Sequence, residues 1–264
     1  MRIIRFYDED GILRMGTPGD DGRADEILEK DGGFTPTGKN FQIKKYCAPV
    51  EPRAIICIGL NYRDHAAETG MAIPERPVVF MKNPAAVAGH RDSIVLPASC
   101  RAPLQVDYEV ELAVVIGKPA KNVREEAALS FVKGYTVAND VSARIWQKNG
   151  GGGQWIRGKS FDTFCPLGPH LVTADEIPDP DNLSLDLTLN GEIMQSSSTS
   201  RMIFSVRKLI AYLSEDTTLL PDTVILTGTP EGVGFSRRPP VYLKPGDSLV
   251  LNIEGVGTLE NDVV

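Results

Sequence analysis

The sequence predicts a β-rich fold with a few covering helices. Strands are indicated by continuous apolar runs at 54–58, 78–81, 110–116 and 223–227, whose lengths suit strands that are buried on both faces. A hairpin is indicated where Asn190-Gly191, a pair that readily adopts positive φ angles, separates strands at 185–189 and 192–195. Against these, only one amphipathic helix is well supported.

The first 50 residues have a different pattern of polar and apolar residues from the rest of the chain. Residues 2–7 and 12–15 predict two short strands around an acidic turn, and residues 16–50 are polar, Gly-rich and only weakly periodic. We therefore expect a small N-terminal β appendage at 1–50 that ends in a loose connection. Pro49 and Pro52 mark its boundary with a main domain at 51–264.

The predicted helices are few and short. Apolar residues from Ile203 to Leu213 fall on one helical stripe, and shorter helices are expected at 62–69 and 124–130. Asn61 or Asp64 could cap the helix at 62–69, and Gly70 could end it. Strands near 248–254 and 257–263 complete the chain.

Composition excludes several classes of function. The 264 residues carry a net charge of −7 without a Lys- or Arg-rich run, so a nucleic-acid partner is not expected. Four scattered cysteines form neither a zinc motif nor a dense disulfide framework. No apolar stretch approaches the ~20 residues of a membrane span, and the N-terminus lacks an apolar signal region. We expect a cytoplasmic protein without a membrane partner.

A carboxylate-rich strand is the strongest chemical signal. Because side chains alternate along a strand, Asp107, Glu109 and Glu111 are expected on one side, with neighbours roughly 6.5–7 Å apart. Asp140, at the end of an apolar strand, could complete a site for a hard cation such as Mg²⁺ or Ca²⁺. The alternative is a solvated polar face. The three histidines lack ligand spacing, which argues against zinc.

His65 and Glu68 lie three residues apart on the predicted helix at 62–69 and so share a face. A carboxylate beside an imidazole orients the ring and raises its basicity, which is typical of a general base. The alternative is a surface helix on which both side chains are solvated.

Residues 153–160 match the phosphate-loop pattern GxxxxGK[ST] letter by letter. That pattern requires a strand before it and a helix after it, and neither flank fits, so nucleotide binding is not expected. Lys159 within it could instead stabilise an oxyanion or enolate. The turn at 227–234 either holds a substrate carboxylate or is simply a tight Gly/Pro turn.

Taken together, these segments resemble the fumarylacetoacetate hydrolase family. The resemblance covers about residues 53–264, in the order that the family shows. The matching stretches are 58–62, 65–68, 80–82, 107–112, 139–142, 158–164, 226–234 and 253–257.

The resemblance implies a mixed β-sandwich roll, a catalytic domain at 51–264 and a homodimer. It implies that Mg²⁺, or else Mn²⁺ or Ca²⁺, is bound by Glu109, Glu111 and Asp140. It also implies a dyad of His65 and Glu68 on a lid, and contact of Lys159 with the substrate. The pocket positions that it implies are Lys82, Arg144, Gln147 and Thr229. One departure affects the charge of the pocket: Ile145 stands where the family often has an acid after the arginine.

The activity that follows from this resemblance is metal-dependent cleavage of a C–C bond in a diketo acid or acylpyruvate. The dyad would activate water, and Lys159 would help to hold the enolate that forms. The alternative on the same site is an oxaloacetate tautomerase or decarboxylase, or an isomerase of a 2-oxo acid. A non-catalytic protein that binds an oxo acid is the alternative from a different class.

Overall fold

Strands make up most of the structure. The computed structural model describes residues 1–30, 32–150 and 152–264. Its strands are β1 Arg2–Tyr7, β2 Leu13–Pro18, β3 Arg23–Lys30, β4 Gly33–Gln42, β5 Lys45–Cys47, β6 Ala54–Gly59, β7 Val78–Lys82, β8 Val87–Ala88, β9 Val106–Asp107, β10 Val110–Ile116, β11 Val132–Asn139, β12 Ser142–Ala143, β13 Cys165–Thr173, β14 Ser184–Leu189, β15 Glu192–Ser198, β16 Thr223–Leu226, β17 Ser248–Ile253 and β18 Gly257–Asp262.

The helices are short. The α-helices are α1 Arg63–Thr69, α2 Arg144–Asn149, α3 Ile156–Lys159 and α4 Val206–Leu213. Single turns of 3₁₀ helix occur at Pro84–Ala86, Ala98–Cys100, Ala174–Glu176, Thr199–Arg201 and Gly234–Ser236, and a longer one at Glu125–Phe131. None of the helices in the described ranges is long and apolar enough to cross a membrane.

One large sheet has the strand order β4-β3-β2-β1-β13-β11-β10-β16-β6-β7, and β5 and β8 pair with β1 and β13. A second sheet, with the order β15-β14-β17-β18, packs against β10, β11 and β13 of the first. β9 and β12 form a separate two-stranded ladder. The prediction of a mainly β fold is confirmed.

Residue patterns explain the position of each strand. Every residue of β10 is buried, as the continuous apolar run predicted. In β14 the leucines are buried while alternate residues are partly exposed, so one face of the second sheet covers the core. The hairpin between β14 and β15 turns at Asn190 (φ 53°) and Gly191 (φ 82°), which confirms the turn prediction.

The N-terminal region differs from its prediction. Residues 16–50, expected to be a loose connection, extend β2 and form β3, β4 and β5. β1 pairs with β13 at Arg2↔Val172 and Ile3↔Leu171, so these strands continue the large sheet. The separation of residues 1–50 from 51–264 as two domains stays a prediction.

The helix predictions are confirmed in place, with changes in type and bounds. α1 ends at Gly70 in the left-handed conformation (φ 68°), as expected. The stripe that begins at Ile203 becomes helical only from Val206, because Ser205 caps the helix by accepting a hydrogen bond from the Lys208 amide. The segment expected at 124–130 is a 3₁₀ helix.

Asn61 joins three elements of the fold. The expectation that Asn61 or Asp64 caps α1 is wrong, because the N-cap residue is Tyr62 and no side chain caps the helix. The Asn61 side-chain amide donates to the carbonyls of Phe204 (3.1 Å) and Thr227 (2.7 Å), and its oxygen accepts from the Phe204 amide (2.8 Å). Asn61 is fully buried, so no water can replace these partners. It therefore joins the end of β6 to the segment before α4 and to the residue after β16.

Replacing Asn61 is expected to destabilise the fold. Asn61→Ala leaves buried backbone groups without partners and should lower the free energy of unfolding by roughly 2–4 kcal/mol. Denaturant unfolding measures the change. Asn182, which is exposed, supplies the matched control: Asn182→Ala should stay within about 0.5 kcal/mol of the wild type. Equal unfolding midpoints for the two variants would contradict the bridging role.

Candidate active site

Three carboxylates meet at the ends of two central strands. Glu111 lies in β10, Glu109 immediately precedes it, and Asp140 follows the last residue of β11. Because Val110 pairs with Asn139, Asp140 lies beside Glu109, whose carbonyl accepts a hydrogen bond from the Asp140 amide (2.9 Å). One carboxylate oxygen from each residue lies within 4.8 Å of the others, and all three residues are buried. The clustering of Glu109, Glu111 and Asp140 therefore follows from strand register.

Asp107 does not join this cluster, contrary to the expectation from alternation. Tyr108 and Glu109 separate β9 from β10, so the chain is not one continuous strand. The Asp107 carboxylate instead accepts hydrogen bonds from the amides of Gly234 (2.8 Å) and Phe235 (2.9 Å) and from Arg144 Nε (2.9 Å). Asp107 thus supports the surrounding loop.

Cationic side chains surround two of the three carboxylates. Lys159 Nζ donates to Glu109 Oε2 (2.8 Å) and Asp140 Oδ2 (2.6 Å), and Arg144 Nη1 lies 2.7 Å from Glu109 Oε1. Lys82 Nζ contacts Asp140 and donates to the Val141 carbonyl (3.1 Å). Burial raises the pKa of Glu109, but Lys159 and Arg144 outweigh burial, so the pKa is lowered.

The Glu111 carboxylate, unlike the other two, has no cationic partner among the described residues. It accepts a hydrogen bond from the Gly228 amide (2.6 Å) and forms no ion pair with a Lys or Arg of the described chain. Burial, and then the charges of Asp140 and Glu109, raise the pKa of Glu111 well above its usual range. A divalent cation would remove this repulsion, and three carboxylates are hard oxygen ligands suited to Mg²⁺, Mn²⁺ or Ca²⁺. The residues present therefore fit a divalent metal.

The position of Lys159 depends on a close contact between α2 and α3. A Cβ on Gly158 would lie 2.8 Å from Gln147 Cα and 2.9 Å from the Ala143 carbonyl oxygen. Only glycine permits this approach, which brings the next residue, Lys159, to the carboxylates. The structure agrees with the rejection of a nucleotide loop at 153–160. A phosphate loop needs a strand before it and a helix after it, but here α2 precedes the segment, and a turn and then β13 follow it.

His65 and Glu68 form the expected pair on α1. His65 Nδ1 lies 3.2 Å from Glu68 Oε2, which leaves Nε2 as the ring nitrogen available for proton transfer. Glu68 Oε1 accepts from the Gly232 amide (3.0 Å) and from Ser236 Oγ (2.6 Å). Burial raises the pKa of Glu68, but the hydrogen bonds from His65, Ser236 and Gly232 together lower it. Glu68 is therefore a fixed anion that orients the imidazole.

A cavity of about 370 Å³ joins these groups. Of the residues predicted from the sequence, the cavity is lined by His65, Glu109, Glu111, Arg144, Gln147, Lys159 and Thr229. Glu68, Lys82 and Asp140 lie behind this lining, where they contact His65, Asp140 and Lys159 respectively. Ile145 is 40% exposed and is not part of the lining, so the departure from the family pattern falls outside the cavity. The individual roles of these residues stay predictions.

Two lining residues differ in how far the protein already engages their side-chain hydrogen-bonding groups. Thr229 Oγ1 donates its proton to the Val110 carbonyl (3.0 Å) and accepts from Gln195 Nε2 (2.9 Å). The side-chain oxygen of Gln147 accepts from Arg144 Nη1 (3.0 Å), so its amide hydrogens are its free donors. The Thr229 hydroxyl therefore offers a substrate no hydrogen-bond donor.

Sequence reasoning missed several residues that shape the cavity. Phe80, Trp155 and Phe235 form apolar walls, and the ring centroids of Phe80 and Trp155 are 5.2 Å apart. Buried Gln195 accepts from the Val110 amide (2.9 Å) and holds the turn after Thr229. A polar residue at a buried position of a predicted hairpin strand was the available signal for Gln195.

Comparison with known proteins identifies the family. Residues 54–264 match the family described as fumarylacetoacetate (FAA) hydrolase C-terminal. The fumarylacetoacetate hydrolase domain-containing protein 2 homolog of Dictyostelium discoideum is 51% identical over 234 residues, which are 85% of this chain and 75% of that protein. The human protein named oxaloacetate tautomerase FAHD2A, mitochondrial, is 48% identical over 220 residues, which are 83% of this chain and 69% of that protein.

Solved structures agree with this assignment over the whole chain. A 5-carboxymethyl-2-hydroxymuconate delta-isomerase from Mycobacterium smegmatis is 40% identical with a TM-score of 0.86, and the match covers 100% of this chain and 99% of that one. The fumarylacetoacetate hydrolase of Exiguobacterium antarcticum is 37% identical with a TM-score of 0.84 and the same coverage. This chain is an enzyme of the fumarylacetoacetate hydrolase family, as the resemblance indicated.

The carboxylate cluster predicts opposite effects of one substitution with and without metal. With a chelator present, Glu111→Gln should raise the melting temperature, because it removes a carboxylate whose charged form is disfavoured by burial and then by the charges of Asp140 and Glu109. With Mn²⁺ present, the same variant should lose most of the metal-induced rise that the wild type shows. Differential scanning fluorimetry measures both effects.

Glu125→Gln, at an exposed position, is the matched control and should respond to Mn²⁺ as the wild type does. An equal metal-induced rise in Glu111→Gln and in the wild type would show that Glu111 is not a ligand.

Proposed function

We propose that this enzyme interconverts the keto and enol forms of a small 2-oxo dicarboxylic acid of the oxaloacetate type. The observation that carries the proposal is that His65, oriented by Glu68, lines the same cavity as the carboxylate cluster and Lys159. A volume of about 370 Å³ suits a small ligand. Relatives at 48–51% identity include proteins named oxaloacetate tautomerase, which supports the same activity.

The proton transfer needs one base and one group that stabilises negative charge on oxygen. His65 Nε2 removes a proton from the carbon between the ketone and the distal carboxylate, and the electron pair of that C–H bond forms the C=C bond. The carbonyl π electrons move to oxygen, which then gains a proton from solvent while the His65 imidazolium releases its proton to solvent; the reverse sequence regenerates the ketone. The Lys159 ammonium stabilises the charge that develops on this oxygen. A divalent cation held by Glu109, Glu111 and Asp140 supplies further Lewis-acid stabilisation of negative charge.

We propose Mg²⁺ as the cation, with Mn²⁺ or Ca²⁺ as alternatives, because the three ligands are carboxylates. The homodimer and the cytoplasmic location stay predictions. Light scattering tests the first and fractionation of the source cell tests the second.

Hydrolytic C–C cleavage of a diketo acid is the second candidate. The same dyad can deprotonate water, and a matching solved structure is described as a fumarylacetoacetate hydrolase. Cleavage consumes water and gives two acids, whereas tautomerisation conserves mass. Decarboxylation is distinguished from both by release of CO₂.

The activity test uses enol oxaloacetate and an acylpyruvate, each with the Mg²⁺-loaded protein in H₂¹⁸O. We expect the ultraviolet absorption of the enol to decay faster than in buffer, with the keto form of oxaloacetate as the product and no cleavage of the acylpyruvate. Mass spectrometry identifies the products. Two acids, one carrying ¹⁸O in a new carboxylate, would instead establish the hydrolase.

Loss of the base should reduce the rate of enol conversion more than it reduces binding. We expect His65→Gln to lower kcat by roughly 10²–10⁴-fold, since general-base catalysis typically contributes that much. His90, which is similarly buried but outside the cavity, supplies the control, and His90→Gln should stay close to the wild type. Unchanged kcat in a folded His65→Gln variant would remove the imidazole from the mechanism.

A further inference from the structure

The cationic side chains that line the cavity differ in whether they pair with an acidic side chain. Arg144 pairs with Asp107 (2.9 Å) and Glu109 (2.7 Å), and Lys159 pairs with Glu109 and Asp140. Lys148 also lines the cavity, yet it forms no ion pair with any acid in the described ranges. Its positive charge is therefore available to an anionic ligand.

Lys148 is held at the cavity by an aromatic ring. It lies in the last turn of α2, and its Nζ is 4.6 Å from the ring centroid of Phe235, which also lines the cavity. The backbone amide of Phe235 is fixed by Asp107 (2.9 Å). The cation–π contact restrains the ammonium near the cavity and, unlike a carboxylate, leaves its charge uncompensated.

The polar side chains near Lys148 do not supply a positive charge for the second carboxylate of a dicarboxylate, whereas Lys148 does. A dicarboxylate whose 2-oxo acid end lies at the carboxylate cluster and Lys159 still has a second negative charge to place. The Thr229 hydroxyl already donates a hydrogen bond to the Val110 carbonyl, and Gln147 offers only the hydrogens of a neutral amide. Of the cations that line the cavity, Lys148 is the one without an acid partner among the described residues.

We propose that Lys148 binds the distal carboxylate of the substrate and makes the site selective for 2-oxo dicarboxylates over 2-oxo monocarboxylates. This inference rests on the proposed function for the identity of the substrate. Lys148 is exposed at the edge of the cavity, so selectivity arises because only a dicarboxylate gains the attraction between its second carboxylate and this ammonium. Lys148 is thus a specificity-determining residue.

The test compares two ligands that differ only at the distal end. Oxaloacetate carries a carboxylate where 2-oxobutanoate carries a methyl group. Binding to the Mn²⁺-loaded protein is followed by tryptophan fluorescence, because Trp155 lines the cavity. Lys148→Met should weaken oxaloacetate binding roughly tenfold and leave 2-oxobutanoate binding nearly unchanged. Lys148→Arg should restore most of the preference, since it restores the charge.

Lys118→Met is the matched control, because Lys118 Nζ also lies 4.6 Å from an aromatic ring, that of Phe131, but outside this cavity. It should bind both ligands as the wild type does. Equal affinity of Lys148→Met and the wild type for oxaloacetate would overturn the proposal, as would equal losses for both ligands or failure of the wild type to prefer oxaloacetate. Because binding is read without turnover, a wild type that prefers oxaloacetate but does not convert its enol refutes the proposed reaction alone.

Discussion

Repulsion among three buried carboxylates is the constraint on which the rest of the site depends. Glu109, Glu111 and Asp140 bring carboxylate oxygens within 4.8 Å of one another, and all three residues are at most 5% exposed. Such a cluster persists only if opposite charge or hydrogen-bond donors lie close by. Lys82, Lys159 and Arg144 supply that charge to two of the acids, and the Gly228 amide is the one donor to Glu111 among the described residues. A divalent cation would neutralise the negative charge that remains at Glu111.

The sequence predicted the parts of this arrangement that depend on local periodicity. The apolar runs located the central strands, and alternation predicted that Glu111 of β10 and Glu109, which precedes β10, lie on one side. The same rule failed for Asp107, because it assumes an unbroken strand and the chain leaves the ladder between β9 and β10. Nothing local encodes that interruption, which depends on backbone amides more than 120 residues later in the chain, at Gly234 and Phe235.

Long-range pairing also explains why β3, β4 and β5 escaped prediction, whereas the strands predicted at 2–7 and 12–15 are present as β1 and β2. β4 is exposed or partly exposed along its whole length, so its residues carry no alternation of apolar and polar types. Its strand conformation comes from hydrogen bonds to β3, which in turn continues the sheet through β2 and β1. The contacts of Lys82 and Lys159 with Asp140 are likewise set by the packing of distant segments. The sequence suggested Lys159 as a group that stabilises an oxyanion or enolate, but only the family resemblance pointed to Lys82.

The loop at 232–236 connects the two halves of the proposed chemistry. Asp107 accepts hydrogen bonds from Gly234 and Phe235 on this loop and also pairs with Arg144, which reaches the carboxylate cluster through Glu109. Other residues of the loop, Gly232 and Ser236, hold Glu68 and thereby the His65 ring. The proposed general base and the carboxylate cluster come from segments distant in the sequence, yet hydrogen bonds connect both of them to this loop. Proton transfer depends on placing the base within a fraction of an ångström of the reacting atom. Although Asp107 is not one of the proposed reacting groups, its buried carboxylate holds the loop that positions them.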